Sequence, residues 1–320
     1  MNYIKMSPLT GMVGYGGGGT GLGLAGGGVP AALWGDTAWV SGDCDTGNTN
    51  NDKYNIPTTG NATDFGSDDG FLSDEKQAAS NGSRLIIGGY RLANDSRAAV
   101  IQYKDFANTS NTADFGDLSN PRFGVSTMVG DSHTRAVFAG GDGGSNGDNK
   151  IEYVTMDTLG DAATFGTCVG NRPRSKGVSN DTRGVYGWAQ YYPDALDYIT
   201  IATTGNGTDF GDSWNQAYAK QVCMNETRGC ASGHYNGGTD IEYITIASTG
   251  NAADFGDLTQ GRGYGGGCSN GSRGVFNGGV GGGSYRNEID YIDISSTGNA
   301  TDFGDLTAAR YAIAAAAGTA

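Results

Sequence analysis

A chain of 320 residues with 58 Gly, 6 Pro and 17 Tyr, and few Leu or Lys, is a poor helix former and suits short strands joined by tight turns. Its formal charge of -14 at pH 7 would repel nucleic acid and anionic membrane over most of the surface, so neither is expected as a partner. No apolar run approaches the roughly 20 residues that span a bilayer, and "MNYIKMSPLTGMVGYGGGG" lacks the apolar core of a secretion signal, so the chain is expected to be made inside the cell with any export encoded elsewhere.

Residues 1–30, with "YGGGGTGLGLAGGG", are expected to form a Gly-rich arm, flexible in the monomer or packed on a neighbouring subunit in an assembly. Its G-x-G-x-x-G has no strand before it and no helical run after it, so it is read as glycine density and not as a dinucleotide site. Next come a strand in "LWGDTAWVSGD" at 33–43 and the loop "GDCDTGNTNNDK" at 42–53. Asp43, Asp45 and Asp52 suggest calcium there, but the loop lacks the closing Glu and fixed spacing of a calcium loop, and a solvated surface loop is expected.

From here the chain repeats. "STGNATDFGDLT", ending at Thr307, has near copies ending at Ser67, Ser119, Thr167, Asp212 and Thr259. Its Phe residues are Phe65, Phe115, Phe165, Phe210, Phe255 and Phe303, separated by 50, 50, 45, 45 and 48 positions. Twelve residues upstream, eleven in the first copy, stands Tyr54, Tyr103, Tyr153, Tyr198, Tyr243 or Tyr291. The alternation in "IEYVTM", "LDYITI" and "IDYIDI" predicts a strand with one buried face around each Tyr. Gly-Asn, or Ser110-Asn111 and Gly160-Asp161, then predicts a tight turn into a strand that carries the Phe.

Seven positions after the Phe comes Arg122, Arg172, Arg262 or Arg310, with Leu72 and Ala217 in the other two copies. Small-residue stretches such as "RYAIAAAA" follow, suited to a strand squeezed where repeats converge. "SRLIIGG", "TRAVFAGG", "TRGVYGW", "TRGCASG" and "SRGVFNGG" supply the remaining strand. Four strands per repeat, used six times, predict an all-β, six-bladed β-propeller over 31–320. Twelve aromatic anchors, each burying roughly 150 to 250 Å², would supply most of its core.

The chain ends at "DLTAARYAIAAAAGTA", where an innermost strand would finish, whereas residues 33–66 lack one. The N- and C-terminal strands are therefore expected to pair in one shared blade that closes the ring. The rival is "LTGMVGYGGGG" at 9–19, which resembles "LTQGRGYGGG" but would leave about 13 surplus residues before the next strand.

A strand ending in Gly-Gly, then a Tyr strand, a single aromatic and an Arg entering the next blade resembles the Kelch repeat over residues 33–320, with Phe in place of the usual Trp. The phrasing is also similar to that of Kelch-like proteins of tailed bacteriophages. That resemblance implies a virion component, of a tail or fibre, made in the host cytoplasm. Its partners would be other virion proteins or a host surface receptor, protein or glycan, with homo-oligomer formation in the assembly. The alternatives are a glycan-binding or glycan-cleaving propeller and a cellular Kelch-type adaptor.

The residues offer little chemistry. His133 and His234 are the only two His and occupy unlike repeat positions, so neither a triad nor a His-built metal site is expected. The pairs Asp114/Asp117, Asp209/Asp212, Asp254/Asp257 and Asp302/Asp305 recur in every copy except the first, which has Asp64 alone, and the third, which has Thr164 and Thr167; turn capping or pairing with Arg is expected of them. The five Cys read as free thiols, and the acceptor triplets at Asn61, Asn206 and Asn299 belong to the turn phrase and are expected to lack glycans. A non-enzymatic protein with no catalytic residue, metal or cofactor is the expectation.

Function is expected on the face where connections vary: "YRLANDS", "DGGSNGDNK", "AQYYPDA", "HYNGGTD" and "VGGGSYRNE". The candidate binding residues are Tyr90, Arg91, Tyr191, Tyr192, Trp214, His234, Tyr235, Tyr285 and Arg286. The alternative is that these rings lie down on their own blades.

Overall fold

Strand order decides the architecture. A computed structural model describes residues 34–41, 50–67, 73–92, 94, 96–108, 111–144, 147–192, 194–214 and 218–319. The Gly-rich arm, the rival strand at 9–19, Leu72, Ala217, and Asp43 and Asp45 of the calcium-like loop lie outside them. Six four-stranded antiparallel sheets follow one another, and no helix occurs among the described residues. The protein is a six-bladed β-propeller.

Each blade runs from axis to rim in one order. In the third blade the strands are Ser126–Gly130, Arg135–Ala139, Lys150–Thr155 and Ala163–Thr167. The first blade has Ala315–Gly318 innermost, then Thr37–Val40, Asn50–Asn55 and Thr63–Ser67. The chain's own last strand thus closes the ring, with Val40 opposite Ala315 and Thr37 opposite Gly318. A small extra ladder, Ser73–Asp74 on Arg91–Leu92, joins two connections of the second blade.

The aromatic repeat builds the core by contact. Five Tyr–Phe pairs meet edge to face with centroids 5.9 to 6.2 Å apart. On the other side of each Tyr lies an Arg: Arg84, Arg135, Arg183, Arg228 and Arg273 sit 4.3 to 4.7 Å above the rings. These guanidinium groups also donate to the following blade, Arg135 to the carbonyls of Ile201 and Ala202 and Arg273 to those of Ile56 and Pro57.

The first blade corrects the alignment. Lys53, not Tyr54, stands opposite Thr63, the place that Tyr153 takes opposite Ala163. The eleven-residue spacing is a slip of one, which turns a strand residue to the opposite face. Lys53 covers the Phe65 ring at 4.4 Å, while Tyr54 packs on Phe303 at 5.0 Å and its hydroxyl donates to Asn277 Oδ1. Thr37 stands where the other blades have Arg, so both members of the Arg–Tyr pair are replaced together.

The entering Arg residues end in buried ion pairs. Arg122 meets Glu152, Arg172 meets Asp197, Arg262 meets Asp290 and Arg310 meets Asp52, at 2.6 to 3.1 Å. The partner is therefore the carboxylate one residue before the core-facing Tyr or Lys, and the Asp residues flanking the Phe are exposed, save Asp305, which is half-buried. In the fifth blade, which has Ala217 in place of Arg, Glu242 is satisfied by Lys220 Nζ, Trp188 Nε1, Ser213 Oγ and the Trp214 amide. In the second, Gln102 stands in place of the carboxylate.

The turn phrase is a clamp between blades. The side-chain oxygens of Asn61, Asp161, Asn206, Asn251 and Asn299 accept the amides of Asp305, Asp117, Thr167, Asp212 and Asp257 on the preceding outermost strands. A Cβ at Gly256 would lie 2.4 Å from the Gly298 carbonyl oxygen, and Gly116, Gly166, Gly211 and Gly304 likewise admit the neighbouring turn.

Candidate functional site: the channel mouth and the varied face

At the end of the axis that bears the varied loops, one residue per blade, nine after the Phe and ten in the first copy, turns the chain into an innermost strand. These six residues are Glu75, Gly124, Arg174, Ala219, Tyr264 and Ala312, and all take positive φ, between 54° and 67°. One is Gly; each of the others carries a strain of about 1–2 kcal/mol. Backbone amides tie part of this collar together, Gly124 to the Glu75 carbonyl, Tyr264 to that of Ala219 and Ala312 to that of Tyr264.

The collar brings unlike chemistry to one place. Glu75, Gly124, Arg174, Lys176, Tyr218 and Tyr264 line a small cleft. The Glu75 carboxylate, nearly buried, lies 3.0 Å from Arg174 and 3.9 Å from Arg91. Arg91, Arg97 and Arg174 gather over the Phe123 ring at 5.4 to 5.9 Å. Burial lowers the Lys176 ammonium to about 8, with Glu75 opposing the shift. Burial likewise raises the Tyr264 hydroxyl far above its usual range, helped by its hydrogen bond with Tyr218.

Tyrosines continue from the collar to the rim. Tyr235 stacks on Tyr218 at 4.5 Å, Tyr218 meets Tyr264 edge-on, Tyr264 meets Tyr311, and Tyr285 stacks on Tyr311 at 4.8 Å. Tyr235 and Tyr285, both predicted from sequence, thus rest on neighbours while keeping one face exposed. Tyr191, at 67% exposure and φ 71°, stands out farthest. Tyr192 lies 6.0 Å from the Arg172 guanidinium, and Trp214 projects its indole from an amide fixed on Glu242.

Others of the predicted set are placed differently. Tyr90 is fully buried, its ring packed in the cluster of Trp39, Leu85 and Ala98, and offers no surface contact. Arg91 is drawn to Glu75, and Arg286 pairs with Glu288 at 3.4 Å. His234 accepts from the Asn236 amide; burial, then Lys220, lowers its pKa and keeps it neutral at pH 7. No cluster of three or more His, Cys, Asp or Glu suited to a metal occurs among the described residues.

Sequence reading missed Glu75, Arg174, Lys176, Tyr218 and Tyr264. For Glu75, Arg174 and Tyr264 the signal was positional: each copy has its collar residue nine places after the Phe, ten in the first, and these residues are unlike one another where the rest of the repeat is uniform.

No protein-family model matches this chain, and no curated protein matches it. Among solved structures it is similar to that titled "Structure of YjhT", with a TM-score of 0.59 and 12% identity over 75% of this chain and 86% of that one. At that identity the likeness conveys the fold. The expectation of a non-enzymatic protein is corrected by this finding together with the collar. A shared ring excludes no chemistry, and the mouth joins an acid, cations and phenols that the repeats alone did not assemble.

Proposed function

We propose that this chain is a recognition propeller of a tailed-phage particle, a tail or fibre component that binds a host surface receptor or a neighbouring virion protein through the varied face. The observation that carries the reading is the set of solvent-facing aromatics on that face, Tyr191, Tyr192, Trp214, Tyr235 and Tyr285. Planar rings exposed on a rigid frame bind without first losing much side-chain entropy. The resemblance of the repeat phrasing to phage Kelch-like proteins supports the setting in a particle.

A glycan-binding or glycan-cleaving propeller is the second reading, favoured by the stacked tyrosines that lead to Glu75 and Arg174. Mass spectrometry of purified particles tests the first: the chain is expected among their components, and its absence contradicts that assignment. Replacing Tyr191 and Tyr192 by Ala is expected to weaken binding to host cells or particles at least tenfold with an unchanged melting temperature. Unchanged binding would remove this rim from consideration.

A further inference from the structure

The two inner strands of the fifth blade, Gln221–Met224 and Arg228–Ser232, carry thiols face to face: Cys223 stands directly opposite Cys230. Directly opposed residues of an antiparallel ladder project from the same side of the sheet, with Cα atoms about 4.5 or 5.5 Å apart. Both spacings lie inside the roughly 4.4–6.8 Å that a disulfide spans. The two thiols share a hydrogen bond, and neither residue has any exposed surface.

This couple is confined to one blade. The same place holds Trp39 and Ala316 in the first blade, Ala79 and Ile86 in the second, Met128 and Val137 in the third, Val178 and Val185 in the fourth, and Cys268 and Val275 in the sixth. Packing alone therefore does not call for two thiols. Cys223 Sγ occupies the space that a Cβ on Gly274 of the sixth blade would need. Cys168 and Cys268 are engaged differently, in hydrogen bonds with Tyr186 and Tyr54.

We propose that Cys223 and Cys230 form a dithiol/disulfide couple, reduced where small thiols abound and closed by a low-molecular-weight disulfide in an oxidising medium. One Cys, its proton lost to solvent, attacks the small disulfide; a mixed disulfide forms and one small thiolate leaves. The second Cys, likewise deprotonated, attacks the protein sulfur of that mixed disulfide and expels the other small thiolate. The chain gives up two electrons and two protons, and the small disulfide becomes two thiols. Burial, then the neighbouring Cys230 thiol, raises the Cys223 pKa, so the folded pair exchanges slowly and closes chiefly as the chain folds. Strand Arg228–Ser232 runs on toward Tyr235, so the closed couple pins the frame beneath that part of the varied face. The inference stands apart from the reading of the rim.

Trypsin supplies the test, because it cleaves after Arg228 and leaves Cys223 on peptide 221–228 and Cys230 on peptide 229–262, each with a single Cys. The full chain is brought to equilibrium in glutathione buffers of graded composition, in urea and after refolding out of it, then alkylated and mapped by mass spectrometry. The fold holds the thiols opposed, so the joined peptides are expected to reach half their yield at a [GSH]²/[GSSG] at least tenfold higher in the folded chain than in urea. Oxidised glutathione is expected to raise the melting temperature of the wild type and to leave unmoved that of Cys223→Val with Cys230→Val, the couple of the fourth blade. The mapping stands without the variant, should it fold poorly. Joined peptides no more favoured in the folded chain than in urea, a linkage through Cys44, Cys168 or Cys268 in place of this one, or a wild-type melting temperature indifferent to oxidised glutathione would overturn the proposal.

Discussion

Arg262 and Asp290 meet at 2.9 Å with neither side chain exposed, and the same arrangement recurs around the ring. Removing one partner of such a pair leaves the other charged and buried, at a cost of about 3–5 kcal/mol. Arg262→Leu is therefore expected to lose about that much in urea denaturation. The double change Arg262→Leu with Asp290→Gln should recover most of it, because it removes both buried charges and the second blade carries neutral Gln102 at the place of Asp290. An additive double mutant would contradict the pairing. The Arg was legible as a repeat mark; its partner was not, since linear spacing cannot say which of several recurring acids faces inward.

Buried thiols carry a pH signature. Burial pushes Cys168 and Cys268 up to about 12 from about 9. Between those values the unfolded chain has released these protons while the folded chain retains them, so the unfolded state binds fewer protons and stability falls as pH rises. The stabilisation is complete below about 9 and declines toward about 12. Cys268→Ala should flatten the fall in denaturation midpoint across that range; an equal slope would show that this thiol ionises alike in both states.

Between neighbouring elements, the repeated phrase does its work across the boundary rather than within its own blade. The turn was legible from Gly-Asn, but the partner of that Asn lies about forty residues earlier in chain order, on the preceding outermost strand. Gly256→Ala, which thrusts a Cβ to 2.4 Å from a carbonyl, is expected to cost about 1–3 kcal/mol. Gly298→Ala, with nothing within 4 Å, should cost less in the same assay. The reverse order would remove the clamp from the account. Tyr54 shows the limit of counting: a bulge between Asn50 and Asp52 lies beside the slipped strand, and Lys53 takes over the ring contact that Tyr makes elsewhere.

For the whole molecule, closure gives the face its meaning. A ring fixed at both ends presents six connections at fixed angles, whereas an open stack would leave them free to splay. The count of blades, the shared blade and the choice of the C-terminal strand were all legible, because repeat arithmetic is insensitive to side-chain detail. The collar was not, because its residues differ from blade to blade and only the ring brings Glu75 beside Arg174. Val40 and Ala315 face each other across the closing ladder, next to the Ser41–Ala314 amide bond, at a place where opposed Cα atoms lie about 4.5 Å apart. Replacing both by Cys and oxidising the purified monomer tests closure directly. An intrachain disulfide with a raised melting temperature is the result expected, and thiols that stay free, or that link only separate chains, would contradict the closed ring.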